Sequence, residues 1–249
     1  YEHICQDITE LKHIPPCDYL INFAAESHVD NSIHESKTFL RSNTDGVHNL
    51  LELLRGKVYE RPIFLHISTD EVYGDTVSGT FSEKDRLNPS NPYAASKAAA
   101  EMFVLSHGRT YGIDYIITRS GNNYGERQYS EKLIANSILC MQESRKIPVH
   151  GDGLYIRDWI YVKDNVDAIF KIIESGVKNK IFNIASHNEM TNLEVIKTVT
   201  SWFSNKNYEN FIKFVPNRLG QDVRYSICNK KIKELGWVPL YPQGLKRFI

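Results

Sequence analysis

Tyr93 and Lys97 stand four residues apart in the stretch Asn91-Pro92-Tyr93-Ala94-Ala95-Ser96-Lys97. On a helix that spacing puts both side chains on one face. A cation beside a phenol favours the phenolate, and bringing a tyrosine from a pKa of about 10 to neutrality takes about 4 kcal/mol of preferential stabilisation. Such a pair can act as a general base on an alcohol. The spacing alone decides nothing: with 14 Tyr among 249 residues, chance supplies about one Tyr-x-x-x-Lys match, and one is found. The setting carries more. The pair sits in an Ala-rich first turn just after a loop, where small residues allow a ligand or a neighbouring helix to approach closely.

A second constellation precedes it by one helix. An apolar run ends in Ser68-Thr69-Asp70-Glu71-Val72-Tyr73-Gly74. In open parallel sheets the carboxyl ends of strands face the ligand crevice. Adjacent carboxylates there repel each other, which raises at least one pKa and offers an acid and a base near neutral pH. A solvated acidic turn or a helix cap is the competing reading. Position just before Tyr93 and Lys97 favours chemistry.

These residues need elements to hold them. Buried strands are expected at 18–25, 62–68, 115–118 and 180–184, from short runs rich in β-branched and aromatic residues. Helices are expected at 43–54, with Val47, Leu50, Leu51 and Leu54 on one face, and at 92–111, with Asn91 as N-cap and Pro92 at the first position. Two more are expected at 164–174 and 192–203. The alternation predicts an α/β protein with a parallel, doubly wound sheet. No Gly-x-Gly-x-x-Gly turn occurs in the chain. It is expected to start just before a fourth strand, so either it does not bind a dinucleotide or a Gly-rich N-terminal βαβ part is missing from this sequence.

Bulk properties narrow the partners. Hydrophobic content of 41% and charged content of 24% are those of a globular protein. Thirty basic residues balance thirty acidic ones, so nucleic acid is not an expected partner, and an anionic ligand must be held by a few placed cations. Cys5, Cys17, Cys140 and Cys228 lie far apart, which suits neither a disulfide framework nor a zinc site; no metal is expected. No run reaches the ~18 apolar residues of a membrane span, and residues 1–7 do not resemble a signal peptide. A cytoplasmic protein with no membrane partner is expected.

Further motifs recur in order: Phe23-Ala24-Ala25-Glu26-Ser27-His28-Val29-Asp30, Asn122-Asn123-Tyr124-Gly125, Glu131-Lys132-Leu133, Gly151-Asp152-Gly153 and Arg157-Asp158-Trp159. With the Ser68–Gly74 turn and the Tyr93–Lys97 pair, they make nearly the whole chain resemble the extended short-chain dehydrogenase/reductases, and within them the dTDP-glucose 4,6-dehydratase group. The Ser-Thr-Asp-Glu turn is the most specific element, because related sugar epimerases lack the acidic pair and related decarboxylases keep only the glutamate.

The resemblance implies a Rossmann-like NAD-binding domain formed by residues 1–119 and 157–184, and a smaller α/β nucleotide-sugar-binding domain formed by 120–156 and 185–249. It implies that Tyr93 deprotonates the sugar 4-hydroxyl as hydride leaves C4, with Lys97 holding Tyr93 and the cofactor ribose and Thr69 bonding the same oxygen. Glu71 would then remove the C5 proton and Asp70 would protonate the departing 6-hydroxyl. NAD would be lined by Asp7, Ile8, Phe23, Ala24, Ala25, Ser27, Ser42, Tyr93, Lys97 and Asn123. The nucleoside-diphosphate hexose would meet Ser27, Thr69, Asn122, Lys132, Leu133, Pro148, His150, Arg157, Asn192, Arg218 and Gln221. A homodimer paired through the helices at 43–54 and 92–111 is also implied. His150 stands where many bacterial members have a tyrosine, and His before Gly-Asp-Gly also resembles plant-type UDP-glucose dehydratases, so dTDP and UDP both stay open. Gln221 replaces a histidine, and Glu126-Arg127 replaces a proline-containing turn. A decarboxylase, a 4-epimerase and a non-catalytic sugar-nucleotide binder remain as alternatives.

Overall fold

The computed structural model describes residues 3–57, 60–205, 207–242 and 244–247. In chain order its main elements are β1 (Tyr19–Asn22), α1 (Val29–His34), α2 (Ser36–Phe39), α3 (Gly46–Gly56), β2 (Ile63–Thr69), α4 (Pro92–Tyr111), β3 (Tyr115–Ser120), β4 (Asn122–Tyr124), α5 (Leu133–Gln142), β5 (Ile147–His150), β6 (Ile156–Tyr161), α6 (Val162–Glu174), β7 (Lys180–Ile184), β8 (Glu189–Thr191), α7 (Asn192–Phe203) and β9 (Ile212–Val215). A four-stranded sheet runs in the order β1-β2-β3-β7. β1 and β2 are parallel, with Tyr19 opposite Ile63 and Asn22 opposite His66.

The chain divides into two compact units. The first comprises residues 1–74, 85–119 and 175–182; the second comprises 75–84, 120–174 and 183–249. Residues 157–174, expected with the cofactor half, group with the second unit. There β6 pairs with β4 in parallel and with β8 antiparallel, which binds the segment to that unit's own sheet.

In the first unit, the expected stripe of α3 buries Val47, Leu50, Leu51 and Leu54 in a cluster with Ala100 and Val104 of α4, Phe64 of β2 and Ile117 of β3. Each such aliphatic side chain contributes about 1.5–3 kcal/mol by leaving water. α4 starts as its sequence predicts: the Asn91 side chain accepts from the Ala94 amide at 2.9 Å and Pro92 fills the first turn. Gly112 ends it in the left-handed region at φ 66°, its amide bonded back to Gly108.

Two expected boundaries shift, for identifiable reasons. β1 stops at Asn22 rather than continuing to residue 25, because the Asn22 side chain accepts from the Ala24 amide and turns the backbone out of the ladder. The helical run begins earlier than 43, and residues 40–45 form a π-helical turn between α2 and α3. That wide turn rotates Asn43 inward, a common use of π-bulges near sites.

The second unit has a three-stranded sheet, β4-β6-β8, and a separate parallel pair, β5-β9. α5 and α7 bury Ile134, Val195 and Val199 against Tyr124, Trp159, Tyr161 and Met190. A capping box of Thr191 and Glu194 opens α7. Among the described residues no helix is long and apolar enough to cross a membrane.

Candidate active site

β2 delivers its last residue, Thr69, in extended conformation to a 3₁₀ turn spanning Asp70–Tyr73. Thr69 Oγ1 accepts from the Glu71 amide and donates to Asp70 Oδ1, each at 3.3 Å. The turn closes on Gly74 at φ 79°, where a Cβ would strike the carbonyl of Asn88, so only glycine fits. Asp70 is buried and Glu71 half-buried. The helix cap reaches the same turn: Asn91 Nδ2 donates to Glu71 Oε2 at 3.3 Å. One side chain thus starts α4 and holds the second carboxylate.

Tyr93 follows in the first turn of α4. Its amide donates to Ser32 Oγ at 3.2 Å, its ring meets Phe39 edge-on at 6.3 Å, and its hydroxyl shares a hydrogen bond with the Thr69 side chain. Lys97 is only 3% exposed, and its ammonium donates to the Ile67 carbonyl of β2 at 2.6 Å. Thr69, Asp70, Glu71, Tyr93 and Lys97 are therefore assembled at the carboxyl end of one strand. In the chain by itself the Tyr93 pKa is raised rather than lowered. Burial raises it first, Glu71 and Asp70 raise it further, and the Thr69 bond offsets only part. Burial also pulls Lys97 down to about 8, opposed by Glu101. Desolvation outweighs attraction here, because the ammonium is turned to a backbone carbonyl.

The residues after β1 are held by two asparagines. Asn22 bonds the Ala24 amide at 3.1 Å and faces His66 Nδ1 at 3.4 Å across the sheet. Asn43 accepts from the Glu26 amide at 2.8 Å and donates to the Glu26 carbonyl and to Ser96 Oγ. Ser96 in turn donates to the Tyr93 carbonyl at 2.7 Å. The Phe23–Ser27 segment is thereby tied to the first turn of α4, while Phe23 is 60% exposed and Ala24 and Ala25 lie open beside it. Ser42 lies half-buried in the π turn. Asp7 accepts from the Thr9 amide and hydroxyl, which hold its carboxyl below the usual range, and pairs with Arg41. The Ile8 carbonyl is held by Asn49, and the Ile8 side chain lies against Gly46, where an added Cβ would press on its Cδ1 at 2.5 Å. Asn123, expected with these, sits on β4 in the second unit and donates to the Gly121 carbonyl.

The nucleotide-sugar candidates are all in the second unit apart from Ser27 and Thr69. Arg157 is 5% exposed, donates to the carbonyls of Ile156, Asp222 and Val223, and lies 4.2 Å over the Tyr225 ring. Among the described residues no carboxylate pairs with it. Asp222 is instead bonded to the Tyr225 hydroxyl. Gln221 donates to the Asp222 carbonyl, and the Arg218 amide donates to Asn217. Pro148 and His150 share one face of β5, and His150 Nδ1 is buried without a hydrogen-bond partner. Lys132 pairs with Glu131 at 3.2 Å and Leu133 opens α5; Asn192 opens α7; Asn122 opens β4.

Asn22, Asn43, His66, Asn91 as a carboxylate tether, and Ser96 had no place among the expected site residues. A polar side chain inside an apolar strand or helix stripe, as at Asn22, His66 and Asn43, is the signal that points to them.

A Rossmann-like parallel sheet with a Tyr-x-x-x-Lys helix and an acid pair at a strand end defines an extended short-chain dehydrogenase/reductase. More narrowly, the chain belongs to the GDP-mannose 4,6 dehydratase family, whose model matches residues 7–243. It is 41% identical to the dTDP-glucose 4,6-dehydratase of Neisseria gonorrhoeae, over 93% of this chain and 73% of that protein. It is 39% identical to a trifunctional protein of Arabidopsis thaliana with UDP-glucose 4,6-dehydratase in its name, over 92% of this chain and 35% of that protein. A crystal structure of DesIV, a dTDP-glucose 4,6-dehydratase from Streptomyces venezuelae with NAD bound, superposes with a TM-score of 0.87 at 36% identity, over 92% of this chain and 71% of the other.

Proposed function

We propose that this chain carries out the NAD-dependent 4,6-dehydration of a nucleoside-diphosphate glucose, giving the 4-keto-6-deoxy sugar. The observation that carries the reading is the buried Asp70 beside Glu71, tethered by Asn91 and joined to Tyr93 through Thr69. An oxidation alone needs a base and a cation; the acid pair is what an elimination of water adds.

The residues present fit NAD. Phe23, Ala24 and Ala25 leave open apolar surface with no long side chain, on a backbone immobilised by Asn22 and Asn43. Together with Asp7, Ile8, Ser27, Ser42, Tyr93, Lys97 and Asn123 they would hold the cofactor. Bound there, NAD supplies the chemistry of taking hydride from C4 and returning it to C6. Tyr93 removes the 4-hydroxyl proton, and Lys97, mostly protonated below its pKa of about 8, is the cation one helical turn away. Thr69 bonds the same oxygen. The ketone at C4 acidifies C5, whose proton passes to Glu71, and Asp70 gives its proton to the leaving 6-hydroxyl.

Arg157 and Arg218 would clamp the diphosphate, the first as a buried cation with no carboxylate partner among the described residues. Ser27, Asn122, Lys132, Leu133, Pro148, His150, Asn192 and Gln221 would complete the nucleotide-sugar contacts. The same reading places the enzyme in the cytoplasm, in deoxysugar synthesis of the rhamnose type, as a homodimer paired through α3 and α4. Exposed Met102 and Phe103 on α4 support that pairing.

Incubating the complete protein with dTDP-glucose and with UDP-glucose tests the proposal. Loss of one water by mass is expected from at least one of them, and no loss from either would overturn it. Asp70→Asn separates dehydration from epimerisation or decarboxylation: elimination should slow while C4 oxidation stays visible as NADH absorbance. Unchanged product formation would remove Asp70 from the mechanism.

A further inference from the structure

A different part of the first unit brings together three residues that the sequence keeps far apart. His48 and Glu52 are one turn apart on α3, and His107 projects from α4. One ligand atom from each lies within 4.8 Å of the others. His107 Nε2 is 3.1 Å from Glu52 Oε1, and the His48 and His107 rings stand edge to face at 5.8 Å. None of the three belongs to the proposed dehydratase site.

The surroundings orient His107 for ligation. Its Nδ1 faces the Phe103 carbonyl at 2.9 Å, which fixes the ring and aims Nε2 at Glu52 and His48. A backbone carbonyl on the far nitrogen is the usual second support of a metal-bound histidine. Within one chain His107 is buried, Glu52 half-buried and His48 exposed, on the α3–α4 face through which the homodimer is proposed to pair. Arg55 competes, because its Nη1 donates to both Glu52 oxygens at 3.2 and 2.9 Å.

We propose that His48, Glu52 and His107 bind a borderline transition-metal ion, zinc(II) or cobalt(II), on the α3–α4 face. Two imidazoles and one carboxylate suit these ions, whereas calcium and magnesium call for all-oxygen shells. Three protein ligands leave a coordination position for water. Closing on an ion about 2.0–2.2 Å from each ligand needs only side-chain rotation of the exposed His48 and partial release of Glu52 from Arg55.

The test is titration of the complete, metal-free protein with Zn²⁺ by calorimetry and with Co²⁺ by visible absorption. One ion per chain is expected, with intense tetrahedral Co²⁺ bands. His48→Ala and Glu52→Gln should each weaken Zn²⁺ binding by at least about tenfold and abolish those bands. Arg55→Ala should tighten binding, and a Cys5→Ser, Cys17→Ser double variant should bind as the parent does. Size-exclusion chromatography keeps the result readable, because His48 packs on Phe103 of the face proposed to pair: both ligand variants should elute as the parent does, and weakened Zn²⁺ binding that comes only with a change of elution would overturn the proposal. Absence of saturable binding, unchanged affinity in both ligand variants, or loss of binding in the cysteine variant would each overturn the proposal.

Discussion

Two arginines, one in each unit, are almost equally buried and differ in what neutralises them. Arg119 of β3 is clamped by Glu101 of α4, with Nη2–Oε2 at 2.5 Å and Nε 3.1 Å from both carboxylate oxygens, and its Nη1 donates to the Tyr73 hydroxyl at 2.6 Å. Among the described residues Arg157 of β6 meets only carbonyls and an aromatic face. Buried charge is expensive unless compensated. Arg119 is compensated within the chain and serves the fold, holding α4 to β3 and Tyr73. Arg157 keeps its charge available, which is what a site for an anionic ligand requires. Lys97 falls between them, with one carbonyl partner and a pKa drawn down to about 8.

The largest expected effect comes from Arg119→Met, which strands the Glu101 carboxylate in the core. It should cost about 3–5 kcal/mol in urea denaturation. Replacing Arg119 and Glu101 together with apolar residues should recover most of that loss; if the double variant is as unstable as the single one, the pair is not what the cost measures. Next is Lys97. Its folded pKa of about 8 lies below the ordinary 10.5, so the unfolded chain binds the proton more tightly between those values. Stability from this group therefore rises with pH from about 8 to 10.5, by on the order of 3 kcal/mol at most. Comparing urea midpoints of the parent and Lys97→Met across that range should show the rise only in the parent.

Arg157→Met should act on binding instead. Loss of a charged hydrogen-bond donor is worth about 1.5–3 kcal/mol, so the Kd for a nucleoside diphosphate should rise tenfold or more, with a smaller change in urea midpoint than for Arg119→Met. An unchanged Kd would erase the distinction between the two arginines. The smallest effect contrasts two helix caps. Asn91→Ala and Thr191→Ala should each cost about 1 kcal/mol, but only Asn91→Ala, which also releases Glu71, should lower kcat for dehydration.

What was legible depended on length scale. β2 and α4 were readable because a long apolar run and an Asn-Pro start are local signals, and both elements appear within a residue of their expected bounds. β4, β5, β8 and β9 span three or four residues each, too few for a period to show. The π turn at 40–45 and the early end of β1 escaped because each depends on a side chain meeting a distant partner: Asn43 with Ser96, Asn22 with His66. That the Tyr93 pKa is raised in the chain by itself escaped for a related reason. Helical spacing predicts proximity to Lys97 but says nothing of desolvation, which dominates the outcome.

By itself, then, the sequence determined the features that rest on neighbours a few residues apart: the Thr69–Glu71 turn, the glycine that must close it, the Asn91 cap and the shared helical face of Tyr93 and Lys97. Only the tertiary structure decided which buried cation is spent on the fold and which stays open. Arg119 and Arg157 both sit in apolar strands and look alike along the chain. Their difference lies in a carboxylate 18 residues from one and, among the described residues, missing around the other, and distances in sequence carry no information about that until the chain is packed.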